Sequence, residues 1–83
     1  MASKYYGVRL ETSKTNAWWK SEIIINKKKY YFGSYRTEEE AAFAFNEGFK
    51  YVSNGKFNIN NNVSFKSEEI KKKVRLLMVN RHI

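Results

Sequence analysis

The sequence contains no cysteine, no proline and no aspartate, and its single histidine is His82, next to the C-terminus. Without cysteine, no disulfide can form and no thiolate can hold a metal ion. One terminal histidine and the lack of aspartate leave little from which to build a catalytic constellation or a metal centre. We therefore expect no enzyme activity, no metal site and no cofactor.

Long apolar runs are also missing. No segment approaches the ~20 apolar residues that a membrane span needs. The N-terminal "MASKYYGV" lacks the apolar region of a signal peptide. A chain of 83 residues has room for one hydrophobic core. We expect a small soluble, intracellular protein with no membrane partner and no small-molecule substrate.

Positive charge, in contrast, is in excess. Twelve Lys and four Arg face eight Glu, for a formal net charge of +8. Such a balance favours a polyanionic partner, nucleic acid or less often an anionic membrane, although it could serve solubility alone. The charge is uneven: residues 1–36 carry eight bases and two acids (+6), residues 37–52 one base and four acids (−3), and residues 53–83 seven bases and two acids (+5).

Residues 5–35 predict three β-strands, because they are rich in aromatic and β-branched residues. The predicted strands are "YYGVRLE" (5–11), "AWWKSEIII" (17–25) and "KYYFGSY" (29–35). The polar loop "TSKTN" separates the first two, and the turn "NKKK" separates the last two. Short links of this kind predict an antiparallel meander.

Residues 37–52 predict an amphipathic helix in which Thr37 and Glu40 form a capping box. Its apolar stripe is formed by Ala41, Ala44, Phe45, Gly48, Phe49 and Val52. The Ala and Gly members would let the helix lie close to the sheet. Asn54-Gly55 is expected to end the helix and Asn60–Asn62 to act as a linker.

A second amphipathic helix is predicted from Ser67, its N-cap, towards residue 83. Ile70, Val74, Leu77 and Met78 would share its apolar face. The expected fold class is therefore α+β: a three-stranded antiparallel sheet packed on one amphipathic helix, with an additional C-terminal helix. We favour packing of the last helix on its own chain and hence a monomer. A homodimer through residues 67–83 stays open as an alternative.

The predicted sheet has two unlike faces, since side chains alternate along a strand. One face is apolar and can pack on the helix stripe: Val8, Leu10, Trp19, Ile23, Ile25, Tyr30 and Phe32. The other face is mostly polar: Arg9, Glu11, Trp18, Lys20, Glu22, Ile24, Lys29 and Tyr31. Because the covering helix is acidic and the sheet segment is basic, a polyanion would approach the polar face.

The order of motifs "YYGVR", "WKSEI" and "YYFGSYRTEEEAAFAF", followed by a late Gly and Asn, resembles the AP2/ERF DNA-binding domain. The resemblance covers about residues 4–60, and the Lys/Asn-rich style is similar to divergent apicomplexan members. It implies a DNA-binding domain at 4–62 followed by a C-terminal helix at 63–83. It further implies a nuclear transcription factor that reads double-stranded DNA with its sheet in the major groove.

The resemblance also implies which side chains meet DNA. Family contact positions match Tyr6, Arg9, Glu11, Glu22, Ile24, Lys29 and Tyr31, with Lys20 adjacent on the same face. Lys14 and Lys27, in the two links, complete the expected DNA-binding set. Plant members carry Arg where Tyr6, Glu11, Ile24 and Lys29 stand here, so their GC-rich preference does not carry over.

Three kinds of base contact are expected from the side chains of this DNA-binding set. Arg9 could make a bidentate contact to guanine, and Glu11 or Glu22 could accept a hydrogen bond from cytosine N4. Ile24, apolar on a polar face, suits a thymine methyl group. Arg9 and Glu22 could instead form only a cross-strand ion pair.

Two other functions remain open at this point. Basic sheets with exposed aromatic residues also bind single-stranded RNA or DNA, by stacking of bases. Trp19 is expected in the core, so only Trp18 and Tyr31 would be available for stacking. The third possibility is an interaction module that dimerises through the C-terminal helix.

Overall fold

The structure, a computed structural model, describes residues 4–53, 63 and 65–80. Its elements, in chain order, are β1 (Val8–Thr12), β2 (Ala17–Ile25), β3 (Lys28–Tyr35), α1 (Glu38–Ser53) and α2 (Glu68–Asn80). The three strands form one antiparallel sheet with β2 in the centre, and α1 packs on the sheet. The predicted α+β class is confirmed. The expected helix stop at Asn54-Gly55, the linker Asn60–Asn62 and His82 lie outside the described residues.

The first strand begins later than the sequence predicted. Residues 4–7 form a bend and a turn, and β1 starts only at Val8. Gly7 explains the difference, because its φ of +76° is a left-handed conformation that interrupts an extended strand. A Cβ atom at this position would overlap the ring of Phe45, so the chain passes very close to α1 here. The predicted strand 5–11 was therefore wrong at its start.

The turn between β2 and β3 is shorter than the four-residue "NKKK" turn that the sequence predicted. Ile25 pairs directly with Lys28, which leaves only Asn26 and Lys27 in the turn. Both have positive φ, 53° and 65°, as in a type I′ turn. This turn type follows the right-handed twist of the strands, and β3 begins at Lys28, one residue before the predicted start at Lys29.

A β-bulge interrupts the pairing of β2 with β3. Ser21 pairs with Gly33, but the next residue, Glu22, pairs with Tyr31, so Phe32 is an extra residue on β3. Gly33, with φ +111°, supplies the backbone conformation that the bulge requires. Strict alternation would place Tyr35 on the same face as Tyr31, whereas the bulge turns Tyr35 into the core.

Both helices begin at the predicted residues. The Glu40 amide donates to Thr37 Oγ1 at 3.2 Å, and the Thr37 amide donates to Glu40 Oε1 at 3.1 Å. These reciprocal bonds confirm the capping box. In α2, the Ile70 amide donates to Ser67 Oγ at 3.3 Å, which confirms Ser67 as the N-cap. No helix in the described part of the chain could cross a membrane.

The core lies between the sheet and α1, as the apolar stripe predicted. A Cβ atom at Gly48 would overlap the ring of Phe32, which confirms the close packing expected of the small residues. Phe45 is fully buried at the centre, where its ring meets those of Phe32 and Phe49 at centroid distances of 5.6 and 5.8 Å. Leu10, in the middle of β1, and Ile25, the last residue of β2, were also predicted on this face and are only half-buried.

The helix α2 packs on α1 and β3 of its own chain, as we favoured. Its predicted face is confirmed, since Ile70, Val74 and Met78 are buried and Leu77 is partly buried against the same core. The segment before α2 also covers α1, with the ring of Phe65 edge-on to Phe43 at 6.0 Å. This second contact buries α1 residues outside the predicted stripe, namely Ala42, Asn46 and Glu47.

Candidate nucleic-acid interface

One face of the sheet lies opposite α1, and we call it the open face. It carries Arg9, Glu11, Trp18, Lys20, Glu22, Ile24, Lys29, Tyr31 and Ser34. The strand pairing brings these residues side by side: Arg9 lies across from Lys20, Glu22 from Tyr31, and Ile24 from Lys29. The predicted division of side chains between the two faces is confirmed for all of them, and the bulge adds Ser34. Alternation alone did not select Ser34.

An ion-pair network occupies the centre of the open face. Glu22 is its hub: Arg9 Nη2 lies 3.1 Å from Glu22 Oε1, and Lys29 Nζ lies 3.1 Å from Glu22 Oε2. Lys20 Nζ is 3.9 Å from Glu22 Oε2 and 3.2 Å from Glu11 Oε2, and Arg9 Nη2 is 3.4 Å from that same Glu11 oxygen. Three cations thus surround two carboxylates, which leaves the cluster with one net positive charge.

The network fixes the three cations and leaves two of them exposed, whereas the Lys20 side chain is only 19% exposed. The Glu22 side chain is only 13% exposed, whereas those of Arg9 and Lys29 remain 56% and 50% exposed. The contacts of Arg9 with Glu11 and Glu22 are made through Nη2, and more than half of its side chain is exposed. The cross-strand pair between Arg9 and Glu22 therefore exists, and it still leaves guanidinium donors pointing to solvent. Such an arrangement can present oriented hydrogen-bond donors to a ligand.

Apolar and aromatic groups border the network at both ends. At one end, Ile24 and Tyr6 are 66% and 58% exposed, and they flank a groove that also contains Arg9 and Glu22. Tyr6 was predicted as a strand residue and instead precedes β1, where its ring lies edge-on to Phe45 at 5.6 Å. It nevertheless borders the same groove as Ile24, because the Glu22 amide donates to the Gly7 carbonyl and holds the turn against β2.

At the other end, cations lie over the outward aromatic rings. Lys20 Nζ is 5.6 Å from the centroid of Tyr31, and the guanidinium carbon of Arg36 is 5.2 Å from that of Trp18. The hydroxyls of Tyr31 and Ser34 share a hydrogen bond of 2.7 Å. These contacts hold the rings in place, and one face of each is already covered by a cation.

The two predicted loop lysines lie at opposite ends of β2. Lys14 is exposed in the link between β1 and β2, which is closed by a bond of 2.8 Å from the Ser13 amide to the Asn16 carbonyl. Lys27 is exposed in the two-residue turn. Neither lies among the central charges, so both flank the open face rather than belonging to it.

Sequence reasoning missed Ser34, Arg36 and Lys73, which border the open face beside β3. Gly33 in the strand was a signal for the bulge that exposes Ser34. Lys73 gave no such signal, because its position depends on how α2 packs. Its ammonium group lies 4.5 Å from the ring centroid of Tyr35. Burial, with smaller effects from Tyr31 and Glu40, raises the pKa of Tyr35, so its hydroxyl stays protonated and donates to the Phe32 carbonyl at 2.6 Å.

Comparisons of the chain with protein-family models, with curated proteins and with solved structures found no match. The AP2/ERF resemblance therefore stays a prediction. The residues predicted for DNA contact now have known places: seven on the open face, Tyr6 beside it, and Lys14 and Lys27 at its ends.

Proposed function

We propose that this protein binds double-stranded DNA sequence-specifically, with the open face in the major groove, as the DNA-binding part of a nuclear transcription factor. The observation that carries the proposal is the central network of Arg9, Lys20 and Lys29 around Glu22. All three cations are oriented on a sheet face that α1 does not cover, and Arg9 and Lys29 are still exposed there. Oriented donors of this kind suit base edges, which are read by directional hydrogen bonds.

The dimensions of the sheet agree with this proposal. Neighbouring strands lie roughly 4.8 Å apart, so a three-stranded sheet measures about 10 Å between its outer strands. The major groove of B-DNA is about 12 Å wide and admits β-strands. The hairpin turn and the link between β1 and β2 would then lie at the two ends of the sheet, further along the groove, and each carries an exposed lysine, Lys27 or Lys14.

Charge gives the bound molecule an orientation. The first turn of α1 carries Glu38, Glu39 and Glu40, on the other side of the sheet from the network. A polyanion is repelled from this turn of α1 and attracted to the cations of the open face. The resemblance to AP2/ERF domains, which bind DNA through the equivalent sheet face, independently supports the same orientation.

Individual base contacts follow from the side chains at each position. Arg9 is proposed to contact guanine, which discriminates against other bases by about 1–3 kcal/mol. Ile24, 66% exposed beside Tyr6, is proposed to contact a thymine methyl group. Glu22 holds three cations, so its proposed role is to position them, and a contact with cytosine would come second.

Single-strand binding by base stacking is less well supported. Of the two outward aromatic residues, Trp18 carries Arg36 over its ring and Tyr31 carries Lys20. A base could stack on either ring only after displacing the cation or from the remaining side. We therefore use single-stranded RNA as the competitor in the test.

The test is an unbiased selection of duplex sites with the 83-residue chain, followed by binding measurements on the selected duplex. We expect Arg9→Ala to weaken the selected duplex at least tenfold and to relax preference at one position. Lys66→Ala is the matched control, because Lys66 is exposed beside α1 residues Phe43 and Asn46, on the far side of the molecule. It should lose far less affinity, although the change in net charge is the same.

Two results would overturn the proposal: preferential binding of single-stranded RNA in competition at fixed salt, or equal losses in Arg9→Ala and Lys66→Ala. Selected sites without any A·T position would contradict only the proposed role of Ile24 and would leave the rest of the proposal in place.

A further inference from the structure

We propose that α2 takes part in DNA binding, through a phosphate-binding rim formed by Lys73 together with Arg36 at the end of β3. This inference rests on the proposed DNA-binding function and extends it beyond the segment that resembles AP2/ERF domains. The rim lies along the β3 side of the open face. There it would meet one strand of the sugar-phosphate backbone while the sheet centre meets base edges.

Lys73 reaches the open face from another layer of the fold. It lines a groove with Trp18, Tyr31 and Ser34, although it belongs to the helix that packs on α1. Its ammonium group is held 4.5 Å from the ring centroid of Tyr35, whose own hydroxyl is bonded to the Phe32 carbonyl. The ammonium group of Lys73 is therefore positioned by its contact with Tyr35, a residue of the core.

Arg36 stands on the same side of the groove. It follows β3 directly, is exposed, and lies with its guanidinium carbon 5.2 Å from the centroid of the Trp18 ring. Trp18 lines the groove that Lys73 also lines, so Lys73 lies in the wall of the groove and Arg36 lies next to it, over the Trp18 ring. Both rest on aromatic rings, which hold a cation without neutralising it.

The cations of the rim differ from those at the centre of the open face in whether they form ion pairs with carboxylates. In the described part of the chain, neither Arg36 nor Lys73 forms an ion pair with a carboxylate, whereas Arg9, Lys20 and Lys29 each do. Glu11 also lines the groove, but its carboxylate is held by Lys20 at 3.2 Å. The unpaired rim cations keep their full charge for phosphate, which binds by charge neutralisation and release of counterions.

The α2 helix supplies its own control. Lys72 precedes Lys73, is equally charged and exposed, and does not line this groove. Replacing either lysine by glutamine removes one positive charge from the same helix while keeping a long polar side chain. A general effect of net charge would therefore act on both variants alike.

The experiment measures the dependence of duplex affinity on salt, by fluorescence anisotropy with the selected duplex and the whole chain. The proteins compared are wild type, Lys73→Gln, Lys72→Gln and Lys73→Arg. We expect Lys73→Gln to lower the slope of log affinity against log salt by about 0.9, the contribution of one phosphate contact. Lys72→Gln should leave the slope unchanged, and Lys73→Arg should restore it. Circular dichroism at the assay temperature checks that each variant is folded.

Sequence dependence provides a second readout. A lost phosphate contact weakens selected and unrelated duplexes by the same factor, because phosphates carry no sequence information. Equal slopes for Lys73→Gln and Lys72→Gln would overturn the rim while leaving the sheet-centred function in place, provided that Arg9→Ala still relaxes preference at one position. Failure of the wild type to bind any duplex would overturn the proposed function and the rim together.

Discussion

Ser21 and Glu22 are neighbours on β2 that meet opposite environments. The Ser21 side chain is fully buried under the sheet, and its hydroxyl has no hydrogen-bond partner within the described residues. Glu22 is also largely buried, but on the open face, where Arg9 and Lys29 contact its two oxygens. Both Ser21 Oγ and Glu22 Oε2 are buried without a hydrogen bond within the described residues, but the Glu22 oxygen lies 3.1 Å from the ammonium group of Lys29, and this charge offsets the cost of its burial.

We expect Ser21→Ala to raise the free energy of unfolding by about 1 kcal/mol, because it removes a buried hydroxyl that has no partner. The measurement is chemical denaturation followed by circular dichroism. Ser34→Ala is the matched control: its hydroxyl bonds to that of Tyr31 at 2.7 Å, so the same change there should destabilise by ~0.5–1.5 kcal/mol. A loss of stability in Ser21→Ala would mean that its hydroxyl is satisfied after all.

The hairpin of β2 and β3 is the element in which local backbone conformation matters most. Its turn consists of Asn26 and Lys27, both with positive φ. Asn tolerates this region, but Lys does so only with strain, and Asn-Gly is the preferred pair for a type I′ turn. A lysine at the second position therefore suggests a role for its charge that offsets the strain, in keeping with its place at the edge of the open face.

Replacing that lysine tests the strain directly. Lys27→Gly should stabilise the protein by ~0.5–1 kcal/mol, since glycine adopts φ of 65° without steric cost. The adjacent Lys28→Gly should destabilise by a similar amount, because Lys28 is in the extended strand, where glycine is unfavourable. Thermal melts of the two variants give the sign. Destabilisation by both would show that positive φ at Lys27 carries no penalty.

At the scale of the whole molecule, α2 belongs to the single core. Ile70, Val74 and Met78 are buried in the same cluster as Phe32 and Phe45, so the last helix stabilises the sheet layer through α1. Its exposed apolar residues, Leu76 and Val79, lie outside that cluster. The apolar face of α2 that contains Ile70, Val74 and Met78 is thus buried within its own chain.

The contribution of α2 can be measured with two truncations on one helix. Met78→Ala should lower the free energy of unfolding by about 2–5 kcal/mol, because Met78 is 2% exposed and its removal leaves a cavity. Leu76→Ala, at a residue 62% exposed, should change it by less than about 0.5 kcal/mol. For a chain of this size, each kcal/mol corresponds to roughly 4–8 °C in Tm. Similar melts for both variants would indicate that α2 does not dock in solution.

The sequence by itself determined the elements and the division of the sheet into two faces. Hydrophobic periodicity is a local property: it placed Trp19 and Ile23 under the sheet and Lys20 and Glu22 above it, and the capping residues set both helix starts. These features need only neighbouring residues, so a linear pattern contains them. The strand limits at Gly7 and in the Asn26–Lys27 turn were missed, because single backbone angles decided them.

Only the tertiary structure decided where the pattern breaks and what surrounds each charge. The bulge at Gly33 moved Ser34 to the open face and Tyr35 into the core, since one extra residue reverses alternation beyond it. The docking of α2 placed Lys73 beside Trp18, residues 55 positions apart in the chain. The central cations pair with carboxylates, and within the described residues the rim cations Arg36 and Lys73 do not. This difference arises from distances between strands and helices, which no linear pattern specifies.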